Sequence, residues 1–268
     1  MPQATQFQDA DKYSKYLATC PGRLRSDLAR QYLERFLPNP ASQRRVLDLG
    51  GGTGAMSARL AKDGFQVVLL DSSDEMLRIS RKEAEGAQVG DRITFCQADA
   101  DQVRQLFAPN SFDIVICHNL LEYVADPSEI VQSITYILRE DGVFSLLVRN
   151  RAGEVFKAAV KSSDWRLARE TLSAHTVLDS LFGKPVRLFD PPEIREMLAE
   201  AGLNVVAQFG VRVFSDYRET APADPAPETY AHLLDLEFTL GSHPQFAAIA
   251  RYIQIIARHS RSSQMSER

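Results

Sequence analysis

Asp48 and Asp71 each end a short apolar run, and between them Gly50, Gly51, Gly52 and Gly54 put four glycines into five positions. Glycines at this density serve a sharp turn whose backbone angles a Cβ would penalise, and they let a ligand approach the main chain. The segment that follows reads as a helix from Ala55 to Lys62, whose first turn offers unpaired N–H groups and the positive end of its dipole. An acid at the carboxyl end of a buried strand lies where open α/β sheets bind ligands. Asp71, with Ser72 beside it, follows Gly52 by nineteen residues and is placed to accept hydrogen bonds from both hydroxyls of a ribose. Gly50, Gly52 and Ala55 also satisfy the dinucleotide pattern G-x-G-x-x-G/A, and NAD and S-adenosylmethionine both carry an adenosine ribose. Asp71 alone therefore does not choose between an oxidoreductase and a methyltransferase.

Other candidates stand at the ends of further strands. Asp99, Ala100 and Asp101 follow a third apolar run and offer carboxylates and backbone amides that could read an adenine edge. His118 ends a fourth, where it serves either a ligand or a structural hydrogen bond. Gly22-Arg23-Leu24-Arg25 puts two guanidinium groups upstream of the glycine turn, suited to a cofactor carboxylate or to plain solvation. Nothing in the spacing of Ser, His and Asp marks an activated nucleophile. The five histidines are scattered and Cys20, Cys96 and Cys117 lack ligand spacing, so no metal site is expected. Cys96 and Cys117 fall in strand-like runs and read as small core residues.

The elements that must hold these groups alternate. Strands are predicted at 45–49, 66–71, 93–97, 112–117 and 143–148. Helices are predicted from Leu24 to Phe36 (stopped by Pro38 and Pro40), from Ser73 to about Ala87 and from Pro127 to Leu138, with Asp141-Gly142 turning into the fifth strand. This is a doubly wound, mostly parallel sheet. Residues 149–187 break the alternation: eight Lys or Arg stand against four acids, so the segment is net +4, and it holds the chain's one tryptophan, Trp165. It is expected as a helical insertion over the strand ends, either contacting substrate or presenting a solvated face. A helix from Pro191 to Ala201, a strand from Val205 to Phe214, a Pro-rich loop at 221–227, a helix over 228–240 and a strand from Tyr252 to Ala257 complete an α/β fold of seven strands. The expected organisation is one domain: a helical region over 1–40, a cofactor-binding core over 41–148, an insertion over 149–190, the last part of the sheet over 191–258 and a flexible tail over 259–268.

The chain has 268 residues, 44% of them hydrophobic, and a net charge of −4. It is long enough to bury one large core, and the charge makes no global case for nucleic acid or membrane. No apolar run reaches the length of a membrane span and residues 1–10 are polar, so a soluble, reduced, cytoplasmic protein is expected.

The segment Asp48 to Gly54 resembles motif I of class I S-adenosylmethionine-dependent methyltransferases, and Asp71 matches their ribose-binding acid. Together with Gly22–Arg25, Leu121–Pro127, Gly210–Tyr217 and Arg251–Ile253, nearly the whole chain resembles the bacterial methyltransferases that esterify 5-carboxymethoxyuridine at the tRNA wobble position. The resemblance implies S-adenosylmethionine as cofactor, held by Arg25 at its carboxylate, Gly50 and Gly51 through their backbones, Asp71 at the ribose, Ala100 and Asp101 beside the adenine and His118 near the methionine portion. Better-known members carry a tight lysine run in the insertion, whereas here the basic residues are dispersed among acids. A sulfonium methyl is already activated and a carboxylate acceptor is already ionised, so positioning is the main demand and no general base is expected. For such an acceptor the fixed donors are Arg212, Tyr217, Arg251 and Tyr252, unless the two arginines are surface charges and the two tyrosines core. The expected partner is tRNA or, on the same chemistry, a small-molecule acceptor.

Overall fold

The computed structural model describes residues 10–38, 44–179, 181, 183–217 and 224–260. Helices α1 (Ala10–Ala18) and α2 (Cys20–Glu34) precede β1 (Arg45–Leu49), α3 (Ala55–Lys62), β2 (Gln66–Asp71), α4 (Asp74–Gly86), β3 (Ile93–Gln97), α5 (Val103–Leu106), β4 (Phe112–His118), α6 (Pro127–Ile137) and β5 (Leu138–Arg149). An insertion follows, with α7 (Arg151–Phe156), a π-helical turn over Lys157–Lys161, α8 (Trp165–Thr171) and a hairpin of β6 (Thr176–Leu178) and β7 (Pro185–Arg187). The chain returns through α9 (Pro191–Glu200), β8 (Leu203–Val211), α10 (Pro227–Ser242), α11 (Pro244–Ala247) and β9 (Tyr252–His259).

Seven strands form one sheet in the order β3-β2-β1-β4-β5-β9-β8, parallel from β3 to β5, with β9 antiparallel to both its neighbours. The expected late antiparallel pair is therefore present. The strand order reverses between β1 and β4, and a doubly wound sheet opens its ligand crevice at that point, outside the strands' carboxyl ends. Leu47, Leu49, Val115 and Cys117 pack on one face with α6 and α9, while Val46, Ile114 and Ile116 pack on the other with α2, α3 and α10. Strands buried on both faces explain the near-continuous apolar runs. Side-chain caps fix helix starts beside the crevice: Ser73 accepts from the Met76 N–H at 3.3 Å and Asp126 from the Ser128 N–H at 2.9 Å.

Several sequence expectations need correction. The first long helix starts at Cys20, because the Thr19 hydroxyl caps it and Pro21 sits in its first turn. Strand β5 begins at Leu138, which pairs with Phe112 across a bulge, so Asp141 and Gly142 lie within the strand. Strand β8 stops at Val211, because Arg212 turns into the left-handed region at φ +63°. Strand β9 continues to His259, and the Ser260 N–H donates to the Gly202 carbonyl, so residues 259 and 260 are held by the sheet instead of belonging to the expected tail; 261–268 lie outside the described residues. The insertion is not all helical, since it contains the β6–β7 hairpin. Pro40 and part of the 221–227 loop also lie outside the described residues.

Helix α10 presses on β8 more closely than ordinary packing allows. A Cβ on Gly241 would come within 2.0 Å of the Gly210 carbonyl oxygen and 2.2 Å of the Tyr32 hydroxyl. Tyr32 is stacked between Phe209 and Phe238, with centroids 4.3 and 4.8 Å away. From the same helix the fully buried Glu237 carboxylate accepts the Val213, Phe214 and Ser215 N–H groups, the last at 2.8 Å, and so holds the segment after β8. Gly241→Ala is expected to cost about 1–3 kcal/mol of stability through overpacking. Urea unfolding would show it as a lower midpoint at unchanged slope; an unchanged midpoint would contradict this close contact.

Candidate functional site

The glycine turn is stitched to the end of β2. The Gly50 and Gly51 N–H groups donate to the Leu70 carbonyl at 2.8 and 3.2 Å, and the Gly52 N–H donates to Asp71 Oδ2 at 2.9 Å. The Ser73 N–H donates to the other Asp71 oxygen at 2.9 Å. Gly50 and Gly52 take φ of +71° and +55°, which a side chain would strain, and a Cβ on Gly51 would lie 2.6 Å from Leu69. The outcome is a carboxylate fixed by two backbone amides at the edge of a cavity of about 300 Å³, with Ser72, Met76, Ala98 and Ala100 beside it. Burial pushes the Asp71 carboxyl above its ordinary range, against the pull of those two amides.

A smaller recess, about 70 Å³, opens over the same turn between Gly50, Gly51, Gly52, Asp48, Arg25 and His118. Asp48 is buried beneath the turn and accepts from Ser57 Oγ at 2.7 Å; burial, with a contribution from Asp71, pushes its carboxyl up to about 6. Arg25 is buried, and among the described residues no ion pair involves it. Its Nη2 donates to the Tyr13 hydroxyl at 2.7 Å, and its guanidinium lies 5.6, 5.2 and 5.6 Å from the ring centroids of Tyr13, Tyr16 and Tyr252. A buried guanidinium without a carboxylate, facing a glycine turn, fits the carboxylate of an amino-acid-bearing cofactor.

His118 borders both cavities. Gln254 Nε2 donates to the Ala29 carbonyl at 3.0 Å and to Ser145 Oγ at 3.1 Å, and Ser145 lies 2.8 Å from His118 Nε2. The carbonyl fixes the Gln254 amide orientation, Ser145 accepts from it, and the serine proton is then available for His118 Nε2. With the serine donating to Nε2, the imidazole proton sits on Nδ1. Burial first, and then the charge of Arg25, lower the imidazole to about 3, so His118 is neutral.

The far wall is cationic. Arg149, Arg212 and Arg251 are buried around Tyr252. The guanidiniums of Arg25, Arg149 and Arg212 lie 5.6, 5.8 and 5.7 Å from its ring centroid. Burial would raise the phenol, but Arg149, Arg25, Arg212 and Arg251 outweigh it and bring Tyr252 down to about 8. Arg149 is paired with Glu154 at 3.1 Å and Asp179 at 2.6 Å; Glu154 is also paired with Arg251. Arg212 is paired with Asp216 and donates to the Tyr16 hydroxyl at 2.7 Å. Lys157 and Lys161, from the π-helical turn, complete this side of the cavity. Arg212 and Asn119 both line the cavity at positive φ without being glycine, a cost that tertiary structure must support.

The structure thus brings Arg25, Gly50, Gly52, Asp71, Ser72, Ala100, His118, Arg212, Arg251 and Tyr252 to one cavity, with Asp48 and Gly51 at the adjoining recess. It does not bring Asp99, Asp101 or Tyr217 to either. Asp99 caps the turn over Ala100–Gln102, and Asp101 is exposed. The Tyr217 hydroxyl donates to the Ile249 carbonyl at 2.5 Å, and its ring meets Phe156 edge-on, so it ties the insertion to the approach of β9. Arg212 and Arg251 are buried, which removes the reading of them as surface charges. Sequence reasoning missed Tyr13, Tyr16, Asn119, Glu122, Tyr123 and the pairing of Arg149. The signal for Tyr13 and Tyr16 was their aromatic character in an otherwise polar N-terminal stretch.

Among the described residues, no group of three or more His, Cys, Asp or Glu could hold a metal ion. No helix among them is long and apolar enough to cross a membrane. A family model of a methyltransferase domain matches residues 40–202. A tRNA 5-carboxymethoxyuridine methyltransferase of Escherichia coli (strain K12) is 31% identical over 264 residues, covering 97% of this chain and 98% of that protein. A ubiquinone biosynthesis O-methyltransferase of Xylella fastidiosa (strain 9a5c) is 31% identical over 175 residues, covering 65% of this chain and 66% of that one. The structure of an S-adenosylmethionine-dependent methyltransferase from Mesorhizobium loti shares the fold at a TM-score of 0.55, with 20% identity over 85% of this chain and 96% of that one.

Asp71→Ala removes an ionised acceptor facing the cavity. Calorimetry with S-adenosylhomocysteine is expected to show at least about a tenfold loss of affinity with the fold retained, the effect of losing one hydrogen bond to a charged group; unchanged affinity would contradict the ribose assignment. His118 gives a pH signature. Its folded value of about 3 lies below its ordinary 6.5, so the unfolded chain takes up the proton first as pH falls. The stability this neutral imidazole permits is present above 6.5 and is lost as pH falls toward 3. Unfolding at pH 7 and pH 5 should show wild type losing about 1–2 kcal/mol that His118→Asn does not lose, the Asp48 contribution cancelling between them. Parallel pH curves would mean the imidazole is not buried neutral.

Proposed function

The chain belongs to the S-adenosylmethionine-dependent methyltransferases, and from that premise we propose that its methyl acceptor is a carboxylate carried by a modified wobble uridine of tRNA. The observation that carries this reading is the cationic wall. Arg149, Arg212 and Arg251 surround Tyr252, with Lys157 and Lys161 alongside, and all line the cavity that Asp71 and the glycine turn border from the opposite side. Such a wall suits a negatively charged group. The 31% identical relative over 97% of the chain supports tRNA as its bearer, since the ubiquinone-biosynthesis relatives match a shorter stretch. A cytoplasmic setting goes with that reading.

When bound, the cofactor supplies a methyl group already activated on a sulfonium. The residues assigned to hold it are Arg25 at its carboxylate, the Gly50–Gly52 backbone, Asp71 at its ribose and the Ala98–Ala100 turn at its base. The remaining chemistry is alignment. Buried guanidiniums hold an anionic oxygen in one place by charge-assisted bonds, and their own carboxylate partners keep them from reorienting. No side chain has to take a proton from an acceptor that is ionised at neutral pH. The neutral His118, with its proton on Nδ1, can donate a hydrogen bond without adding a positive charge beside a sulfonium. Tyr13, from α1, lines both the cavity and the recess, and Tyr16 from the same helix lines the cavity.

The test is transfer of labelled methyl from the cofactor into tRNA that carries 5-carboxymethoxyuridine, compared with a metabolite extract. Label in tRNA supports the reading, and label confined to metabolites at low salt overturns it. The two cation classes of the insertion separate in a salt series. Arg166 and Arg169 are exposed, whereas Arg149 and Arg151 are spent on internal carboxylates. Replacing Arg166 and Arg169 with Gln should flatten the fall of log affinity for tRNA with log salt by about 1–2 units, two contacts to a single-stranded backbone, with S-adenosylhomocysteine binding unchanged. An unaltered slope would mean this face does not meet phosphate.

A further inference from the structure

Trp165 is the one tryptophan in the chain, and 76% of its surface is exposed. It begins α8, whose anchoring does not use the indole: Asp164 caps the helix by accepting from the Leu167 N–H at 2.8 Å, and Ala168 and Thr171 are its buried residues. The helix starts where the cavity wall ends. Lys161 lines the cavity, and the Asp164 N–H donates to the Ala158 carbonyl at 2.9 Å, which folds the start of α8 back onto the wall. Two cations lie on the same helix, Arg166 next in sequence and Arg169 one turn on. Arg169 is exposed and makes no ion pair among the described residues, and Arg166 reaches Glu170 only at 3.6 Å with 89% of its side chain exposed.

Resting on the tRNA reading above, we propose that Trp165 is a stacking platform for an unpaired base next to the modified nucleotide, at the lip of the acceptor cavity. On that reading only the modified nucleotide reaches the buried arginines that line the cavity, and its neighbours stay outside, on whatever the lip presents. An open indole beside guanidiniums offers what single-stranded nucleic acid binds: a flat aromatic face for a base and positive charge for the phosphates around it. The net positive charge of this exposed stretch, Lys161, Arg166 and Arg169 against Asp164 and Glu170, favours the phosphates of RNA over an uncharged protein surface.

The lone tryptophan makes the test direct. An unmethylated anticodon stem-loop RNA carrying 5-carboxymethoxyuridine is titrated at low salt into the full chain with S-adenosylhomocysteine bound, and intrinsic fluorescence is followed. Saturable quenching is expected, with a midpoint that rises with salt. In methyl transfer, Trp165→Ala should raise KM for the RNA by about tenfold, the effect of one lost stacked base, at unchanged kcat and unchanged S-adenosylhomocysteine affinity. Trp165→Phe should keep most of the wild-type KM. Methylation of the RNA with no quenching, or with equal KM for Trp165→Ala and wild type, would overturn the platform and leave the tRNA reading standing. Failure of the wild-type chain to methylate any tRNA would overturn both. A fluorescence change that follows protein concentration in RNA-free samples, matched by dimers in sedimentation, would assign the indole to self-association and overturn the proposal.

Discussion

Three guanidinium groups, those of Arg149, Arg212 and Arg251, are buried within reach of one tyrosine ring together with Arg25, and the crevice can exist only if that charge is compensated. An unpaired buried cation costs several kcal/mol. The compensation comes from elements far apart in the chain. Arg149 ends β5, Glu154 lies on α7 and Asp179 follows β6; Arg251 precedes β9 and shares Glu154; Arg212 follows β8 and meets Asp216 and Tyr16. Closing these pairs fixes the insertion against the end of the sheet, and the acceptor side of the cavity takes its form from that closure. Gly153 permits it sterically, since a Cβ there would lie 2.4 Å from the Ala250 carbonyl oxygen.

Arg25 joins this cluster to the glycine turn. It shares the Tyr252 ring with Arg149 and Arg212 yet also lines the glycine recess, and it has no carboxylate partner among the described residues. The two parts of the crevice differ in the groups they offer: the carboxylates Asp48 and Asp71 by the glycine turn, and around Tyr252 guanidiniums held by their own carboxylates, with Lys157 and Lys161 beside them. A zwitterionic cofactor and an anionic acceptor match that division. The neutral state of His118 follows from its burial first and then from the charge of Arg25, beside which a second positive charge is disfavoured.

The parallel half of the sheet was legible because strands buried on both faces are written as unbroken apolar runs, and the glycine turn and Asp71 were legible because a ligand-bearing turn has few alternatives. Arg212, Arg251 and Tyr252 were legible through the resemblance and are gathered in one place. Tyr217 was misdirected because β8 ends at Val211: once Arg212 leaves the strand, the alternation that would aim a side chain no longer holds, and only the Ile249 carbonyl shows where the hydroxyl goes. The +4 of the insertion was a sound count but a poor map. Arg149 and Arg151 are internal ion pairs, Arg187 pairs with Glu193, and Arg166 and Arg169 are left for the exterior. Glu122 and the two N-terminal tyrosines reach the site through long-range packing that no local pattern encodes.

The central claim, that the cationic wall receives a carboxylate, is tested most directly by the chemistry of the product. tRNA carrying 5-carboxymethoxyuridine is labelled from methyl-labelled cofactor and then treated with mild alkali, which hydrolyses a methyl ester and spares a methyl group on nitrogen, carbon or an ether oxygen. The account predicts that the label leaves the tRNA as methanol. Label that enters the tRNA and stays there through alkali would contradict it.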